Sequence, residues 1–384
     1  MEQKTTKKTI RTFALASFLN DFGSDMIYPI WPLFLSTALN ANMEIVGFID
    51  GLGDSIVSIS QAASGYASDK MRKRKIFIWT GYLFGSMSRI GYALSAVWEQ
   101  VVPFRILDRA GKMRGAPRDA IIADVSTDEN RGRNFGLLRA MDNLGATCGI
   151  ILCLLFVALF PFGDYRYLFL VAAVPSLIGA LLILILIKEV KISDTKLFRG
   201  MSLKDLDRNF KVFLFLSGLF ALGSFSYSFL LLFASNFGYD PALLVVLYLI
   251  FTAAASLFSL PFGKLSDKMG RKSVMMLSFV FWGLTSLSLI LSQNFWAIIL
   301  AFVMYGLHRG ALEPVQRAFV SELAPREYRA SSLGGFQLVV GLCALPSSFV
   351  AGVLWDQVGI LTPFYVSLVL TVIATLMLVL VKEK

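Results

Sequence analysis

The chain has 384 residues, 56% of them hydrophobic and only 16% charged, with a mean hydropathy of +0.67. Soluble domains hold about 45–50% apolar and ~25% charged residues, so the composition excludes a soluble enzyme. The net charge of +10 invites a nucleic-acid partner, a reading that fails once the charges are located along the chain.

A polar, basic segment, Met1 to Arg11, precedes an apolar run too long and too polar to be a cleaved signal. A membrane helix needs roughly 20 largely apolar residues. Breaking the chain at its charged and Gly/Pro/Asn clusters predicts spans at 12–38, 44–68, 76–97, 99–124, 133–160 and 165–188. Residues 189–210 are the longest polar stretch and read as a linker. Spans at 211–238, 240–266, 273–293, 295–323, 330–352 and 358–381 follow. The expectation is an all-α integral membrane protein of 12 transmembrane helices: an N-terminal six-helix bundle over 1–188, a cytoplasmic linker over 189–210 and a C-terminal six-helix bundle over 211–384.

Of the 36 Lys and Arg residues, 26 fall on the tails and loops of one side, only Arg166 on the other, and 9 inside spans. That bias places both termini in the cytoplasm of a multi-pass protein of the cytoplasmic (inner) membrane. The basic balance is orientation charge, so the partner is the lipid bilayer and no nucleic acid. Cys148, Cys153 and Cys343 lie in apolar runs and His308 is the only histidine. Neither a disulfide framework nor a metal site is supported, and no cofactor is expected.

One offset relates the halves. Adding 198 carries Gly65-Tyr-Ala-Ser-Asp69-Lys-Met71 onto Gly263-Lys-Leu-Ser-Asp267-Lys-Met269, Ala120 onto Ala318, Asp124 onto Glu322, Arg131 onto Arg329 and Gly136 onto Gly334. Six spans per half give the halves the same orientation. They are therefore parallel pseudo-repeats, a transporter architecture with its site near mid-membrane.

Gly65-x-x-x-Asp69-Lys-x-Arg-Lys-Arg74-Lys, between spans 2 and 3, resembles the loop signature of the major facilitator superfamily. Gly263-Lys-Leu-Ser-Asp267-Lys-Met-Gly270-Arg271-Lys272, between spans 8 and 9, matches it more closely, since Arg72 stands where the pattern has Gly. The resemblance covers essentially the whole chain and implies that fold, with the loop cluster latching the cytoplasmic side in an outward-open state. Gly65 and Gly263 would let two helices approach. Asp69 and Asp267 end one span beside the N-terminus of the next, where a carboxylate is favoured. Arg74, Arg118, Asp119, Arg271 and Arg317 complete the candidate cytoplasmic gate. A pure positive-inside anchor is the alternative. Gly136, Gly145 and Gly149 match the spacing of the family's exporter signature, but Ile150 stands where it has Pro, and close packing through Gly145 and Gly149 is the alternative.

Ionisable groups inside spans are costly and mark functional sites by default. On span 4, Arg105, Asp108, Arg109, Lys112 and Asp119 share one stripe, with Arg114 and Arg118 roughly opposite. The stripe is expected to face a water-filled cavity or other charges, because lipid is not an option. Arg105 resembles the span 4 arginine that the superfamily ties to proton coupling. Span 1 supplies Asp21, Asp25 and Tyr28, and span 2 supplies Asp50 and Asp54, expected opposite Arg89 or Arg105. Arg139 and Asp142 of span 5 are expected near Arg118 and Asp119. Seven bases and seven acids inside the first half could all pair with one another.

The second half reads Gly218-Leu-Phe-Ala-Leu-Gly-Ser-Phe-Ser-Tyr227, aromatic where span 1 is acidic. On span 10, Arg309, Glu313 and Arg317 form an i, i+4, i+8 ladder that most simply pairs with itself. His308 beside it reads as a packing residue or a proton relay. An ionic wall from spans 1, 2, 4 and 5 and an aromatic wall from spans 7, 8 and 10 suit a small organic solute with polar and apolar parts.

The expected function is secondary active transport by alternating access. Proton coupling is favoured, with Asp21, Asp25 and Asp142 as carriers, over sodium coupling. Import of an anionic organic solute such as a carboxylate or siderophore, multidrug or metabolite export, and a passive channel or lipid scramblase are the alternatives. A monomer is expected. One histidine leaves few parts for a membrane enzyme.

Overall fold

A computed structural model describes residues 2–127, 130–160, 163–189, 207–324 and 329–383, the side chains of 2–6, 69 and 329–331 excepted. The expected linker therefore lies mostly outside the described residues. The elements are helical throughout those residues: α1 (Glu2–Ile27), α2 (Trp31–Leu33), α3 (Met43–Met71), α4 (Lys75–Leu94), α5 (Trp98–Ala110), α6 (Gly115–Asp124), α7 (Arg131–Leu159), α8 (Tyr165–Leu186), α9 (Arg208–Leu222), α10 (Tyr227–Asn236), α11 (Pro241–Met269), α12 (Arg271–Leu291), α13 (Phe295–Leu323), α14 (Arg329–Gln357) and α15 (Thr362–Val379).

Among the described residues eight passages, α7, α8, α9–α10 and α11 to α15, are long and apolar enough to cross a membrane by length and composition. Ionisable residues stand inside the first four spans and also in α7 and α13. Three spans are interrupted. Span 1 turns at Tyr28–Ile30 and continues through α2 into a π turn, Phe34–Ala38, where Pro29 and Pro32 supply no backbone N–H. Span 4, expected as one helix over 99–124, tightens into a 3-10 turn at Gly111–Arg114. There Gly111 lies against Gly81, each leaving a Cβ only 2.6 Å from the other's carbonyl oxygen. Span 7 unwinds between Leu222 and Tyr227.

The chain divides into two compact units, residues 1–40 with 56–198, and residues 41–55 with 199–384. The first part of α3 thus packs with the second unit, although the chain order groups it with the first half. In the first unit, α1 lies along α7 and α8, and α4 along α8 and α5. In the second, α9 lies along α14 and α15, and α12 along α15 and α13. These pairings are the same when the 198-residue offset is applied span by span, so the repeat in sequence is a repeat in packing.

Glycines make the tightest crossings. A Cβ on Gly145 would lie 3.0 Å from the Phe18 carbonyl carbon, and one on Gly149 would lie 2.9 Å from the Met26 nitrogen. Both contacts are backbone, which cannot step aside. Gly149→Leu is expected to destabilise the first unit by about 1–3 kcal/mol, the usual range for overpacking, seen as a lower thermal midpoint in detergent. An unchanged midpoint would mean that α1 and α7 separate without cost.

Candidate functional site

In the first unit, burial separates the span 4 charges from water. Arg105 is 2% exposed, Asp108 6%, Arg109 8% and Arg114 7%. The Arg105 guanidinium sits 4.3 Å from the centre of the Trp31 ring, Arg109 lies 5.2 Å above Tyr28, and Arg114 lies 4.9 Å above Tyr82. Arg109 also donates to the Tyr28 hydroxyl (3.3 Å) and pairs loosely with Asp108 (3.7 Å). Of the two surroundings expected for the stripe, water or other charges, Asp108 lies among the charges of Arg109, Arg89, Arg105 and Lys112. Aromatic faces of spans 1 and 3 cover the stripe, because a flat guanidinium stacks on a ring and is weakly hydrated. Lys112, in the 3-10 turn, is half-buried and acts on Asp108.

Arg89 is held by hydroxyls and carbonyls. It is 1% exposed and meets neutral acceptors: the Ala172 carbonyl (2.7 Å), the Ser24 hydroxyl (2.7 Å), the Asn20 carbonyl (3.4 Å) and the Ser176 hydroxyl. It pins spans 1, 3 and 6 together.

Toward the basic-loop end, spans 1, 4 and 5 meet. Asp142 is 9% exposed, and the charges of Asp21, Arg118 and Arg139 all act on it. Ser17 hydrogen-bonds Asp142 and also accepts from Arg118 (2.7 Å), which pairs with Asp119 at 3.0 Å. Asp21 accepts from the Asn20 amide at 2.9 Å. Asp25 is half-buried one turn further along α1. Asp119 and Asp142 thus share the Arg118 guanidinium, Asp21 acts on Asp142, and Arg139 is exposed on the same helix as Asp142.

In the second unit the aromatic surface is continuous. Tyr227 opens α10 with Tyr248 at 5.4 Å and Phe251 at 6.2 Å, and Phe251 reaches Tyr305 at 5.0 Å. Beside it, Arg309 pairs with Glu313 at 2.5 Å, and the charge of Asp54 acts on Arg309 and Tyr305. Asp54, Arg309, Glu313 and Arg317 are exposed. Exposed charges inside spans require water, not lipid. His308 is 1% exposed, its Nδ1 within 2.9 Å of both the hydroxyl and the carbonyl of Ser278, and its ring lies among Phe220, Trp282 and Tyr305. Asp50, also 1% exposed, accepts from the hydroxyls of Ser226 (2.8 Å) and Ser228.

At the basic-loop end each unit carries a similar cluster. Arg74 pairs with Asp124, and its backbone N–H donates to Glu189 at 2.7 Å. Arg271 pairs with Asp267 (2.5 Å) and approaches Glu322 (3.8 Å), the repeat counterpart of Asp124, while its N–H donates to Glu383. Glu189 and Glu383 were not foreseen; the signal was an acid just past the last span of each half. The side chain of Asp69 lies outside the described residues. A Cβ at Gly263 would meet no described atom within 4 Å and one at Gly65 only Ala116 at 3.7 Å, so neither marks a tight crossing here. Arg72, standing where the motif has Gly, takes φ +53°, and its counterpart Gly270 takes +91°; the loop requires a positive φ in both halves.

The model of the Major Facilitator Superfamily matches residues 13–227 and 212–384. An uncharacterised MFS-type transporter of Methanocaldococcus jannaschii is 37% identical over 97% of this chain and 94% of its own length. An uncharacterised protein of Mycobacterium tuberculosis is 24% identical over 87% of this chain and 84% of its own. Among solved structures, a nucleoside transporter superposes with TM-score 0.80 at 17% identity, covering 98% of this chain and all of its own (100%). A bacterial homologue of the human lysosomal transporter Spinster superposes at 0.73 with 14% identity, covering 97% and 96%.

Proposed function

Since the chain belongs to the major facilitator superfamily and is a transporter of that type, we propose that it is a secondary active transporter of a small organic solute. It works by alternating access and is driven by protons. One observation carries the reading: spans 1 and 7, related by the repeat offset, are both interrupted, at Tyr28–Ile30 and at 223–226, and the two breaks meet at one repeat position, Tyr28 and Ser226. Paired broken helices in the two halves of a transporter mark its solute site, because unwound backbone and helix ends offer polar groups at mid-membrane.

Tyr28, beside Arg109, and Tyr227, beside Tyr248 and Phe251, are the solute-facing residues at the two breaks. Exposed in-span charges of both signs (Asp54, Glu313, Arg139, Arg309, Arg317) favour a solute with polar and apolar parts over a polyanion. Asp21 and Asp142 carry the proton: two like charges in mutual reach gain from taking one up, and the movement of Arg118 would return it. The positive-inside bias puts the basic clusters around Arg74 and Arg271 on the cytoplasmic face, as the closing gate of that side.

The test is flux in proteoliposomes, with solutes chosen by thermal-shift screening. An imposed inward proton gradient is expected to drive accumulation above the external concentration. Equilibration that ignores the gradient would assign a passive pathway instead.

A further inference from the structure

At the end of the second unit away from the basic loops, two carboxylates do what no repeat counterpart does. Asp356, at the end of α14, accepts the backbone N–H of Glu44 (2.8 Å) and of Met43 (3.3 Å), the first residues of α3. The helix already has its own cap, since Asn42 accepts from the Ile45 N–H at 3.0 Å. Asn42 corresponds to Asp240, which caps α11 from within its own chain segment. Asp356 corresponds to Ala158, so α11 receives no such second cap from the equivalent place. The outer end of α3 therefore takes up three of its free N–H groups with one residue of its own and one of α14.

Asp50 lies two turns further along α3. It takes the hydroxyls of Ser226, at 2.8 Å, and Ser228 at the start of α10. Ser226 is the N-cap of that half-helix, accepting from the Ser228 N–H at 3.3 Å, and its own N–H donates to the Ser348 hydroxyl of α14 at 3.3 Å. The counterpart of Asp50 is Tyr248. Thus α14 holds α3, and α3 holds α10, each through a carboxylate at a helix start.

Between the two carboxylates the helices touch through backbone. A Cβ on Gly352 would lie 2.6 Å from the Glu44 Cα, and one on Gly51 would lie 2.7 Å from the Leu345 Cα. Ser55 donates to the Gly341 carbonyl at 3.0 Å, and Phe48 meets Phe349 edge-on at 6.5 Å. The seam runs from Asp356 inward to Ser55, and past Ser55 the same helix belongs to the first unit. A helix clamped at one end and owned by another body at the other is where a moving transporter must let go.

We propose that Asp356 and Asp50 are the releasable clasps of the gate on the side away from the basic loops. They hold α3 against α14 and α10 when that side is sealed and let it go when that side opens. The proposal rests on the alternating-access reading above. Hydrogen-bonded caps suit the task, since water replaces them when the seam parts, whereas the glycine contacts only set how closely the helices lie.

The test uses spin labels at Glu44→Cys and Gln357→Cys in full-length protein freed of its three native cysteines, reconstituted in nanodiscs, with the distance distribution read by pulsed spectroscopy. Asp356→Ala and Asp50→Asn are each expected to raise the ratio of long to short distances about fivefold, the factor that one helix cap or one pair of hydrogen bonds to a carboxylate is worth. Asp267→Asn, in the opposite cluster, is expected not to raise it. If Asp356→Ala does not fold, Asp356→Asn, which keeps the side chain's size but loses one acceptor, is read in its place. Unchanged distances in folded clasp variants, with a Gly352→Leu wedge that does lengthen them, would overturn the clasps and leave alternation standing. A wedge that also leaves only the short distance would overturn both.

Discussion

Arg89→Met is expected to cost the first unit about 3 kcal/mol, the largest stability loss of any single substitution proposed for this chain. Methionine keeps the length and apolar stem but brings no donor. The Ala172 carbonyl and the hydroxyls of Ser24 and Ser176 would then lose the group that now meets them, and each buried polar group left unsatisfied costs about 1–3 kcal/mol. Relief from burying the guanidinium charge offsets part of the sum. Arg89→Lys should recover only a fraction, because one ammonium cannot reproduce a planar fork reaching spans 1 and 6 at once. Unfolding by heat or denaturant in detergent measures both. A midpoint for Arg89→Met equal to that of the native protein would remove the pin from the account.

Asp142→Asn and Asp21→Asn are expected to lower gradient-driven accumulation at least tenfold while leaving solute exchange at zero gradient within about twofold, a difference of 1.4 kcal/mol or more in coupling alone. Asparagine matches the shape of aspartate and cannot gain or lose a proton. It therefore separates proton carriage from packing on Ser17 and Arg118. Asp25→Asn serves as the comparison on the same helix. Proton-driven accumulation at native levels in both Asp142→Asn and Asp21→Asn would place the coupling group elsewhere. Equal loss of accumulation and exchange would make the pair part of the solute path.

Arg89 and the Asp21–Asp142 pair are different kinds of charge. Arg89, Arg105 and Arg114 are sealed by carbonyls, hydroxyls and aromatic rings, so they hold helices together. Asp54, Arg139, Arg309 and Glu313 remain exposed inside their spans and require water beside them. Counting seven acids against seven bases suggested carboxylate partners for every arginine. Trp31, Tyr28 and Tyr82 add ring faces as partners that no tally of charge includes.

Some of what the helices do locally is written in their breaker residues. Gly111, Gly115 and Pro117 in one span, and Gly223 followed by serines at 224, 226 and 228 in another, are breaker-rich for membrane helices. Both spans are interrupted there. The reach of Asp356 to the start of α3 had no such signal, for it joins positions 312 and 313 residues apart.

A duplicated, all-helical membrane protein, its span order and its family are legible in the order of residues alone. Burial in lipid forces each apolar stretch into a helix, and a fixed offset survives in side chains whatever the packing. Only the tertiary structure decided which rotational face of each helix meets which neighbour. Position along the chain sets a residue's depth, but the azimuth of its side chain relative to another helix is chosen by close packing at glycines and by the stacking of rings on guanidinium groups. That choice sealed the span 4 arginines, brought Asp21 to Asp142, and gave the first part of α3 to the second unit.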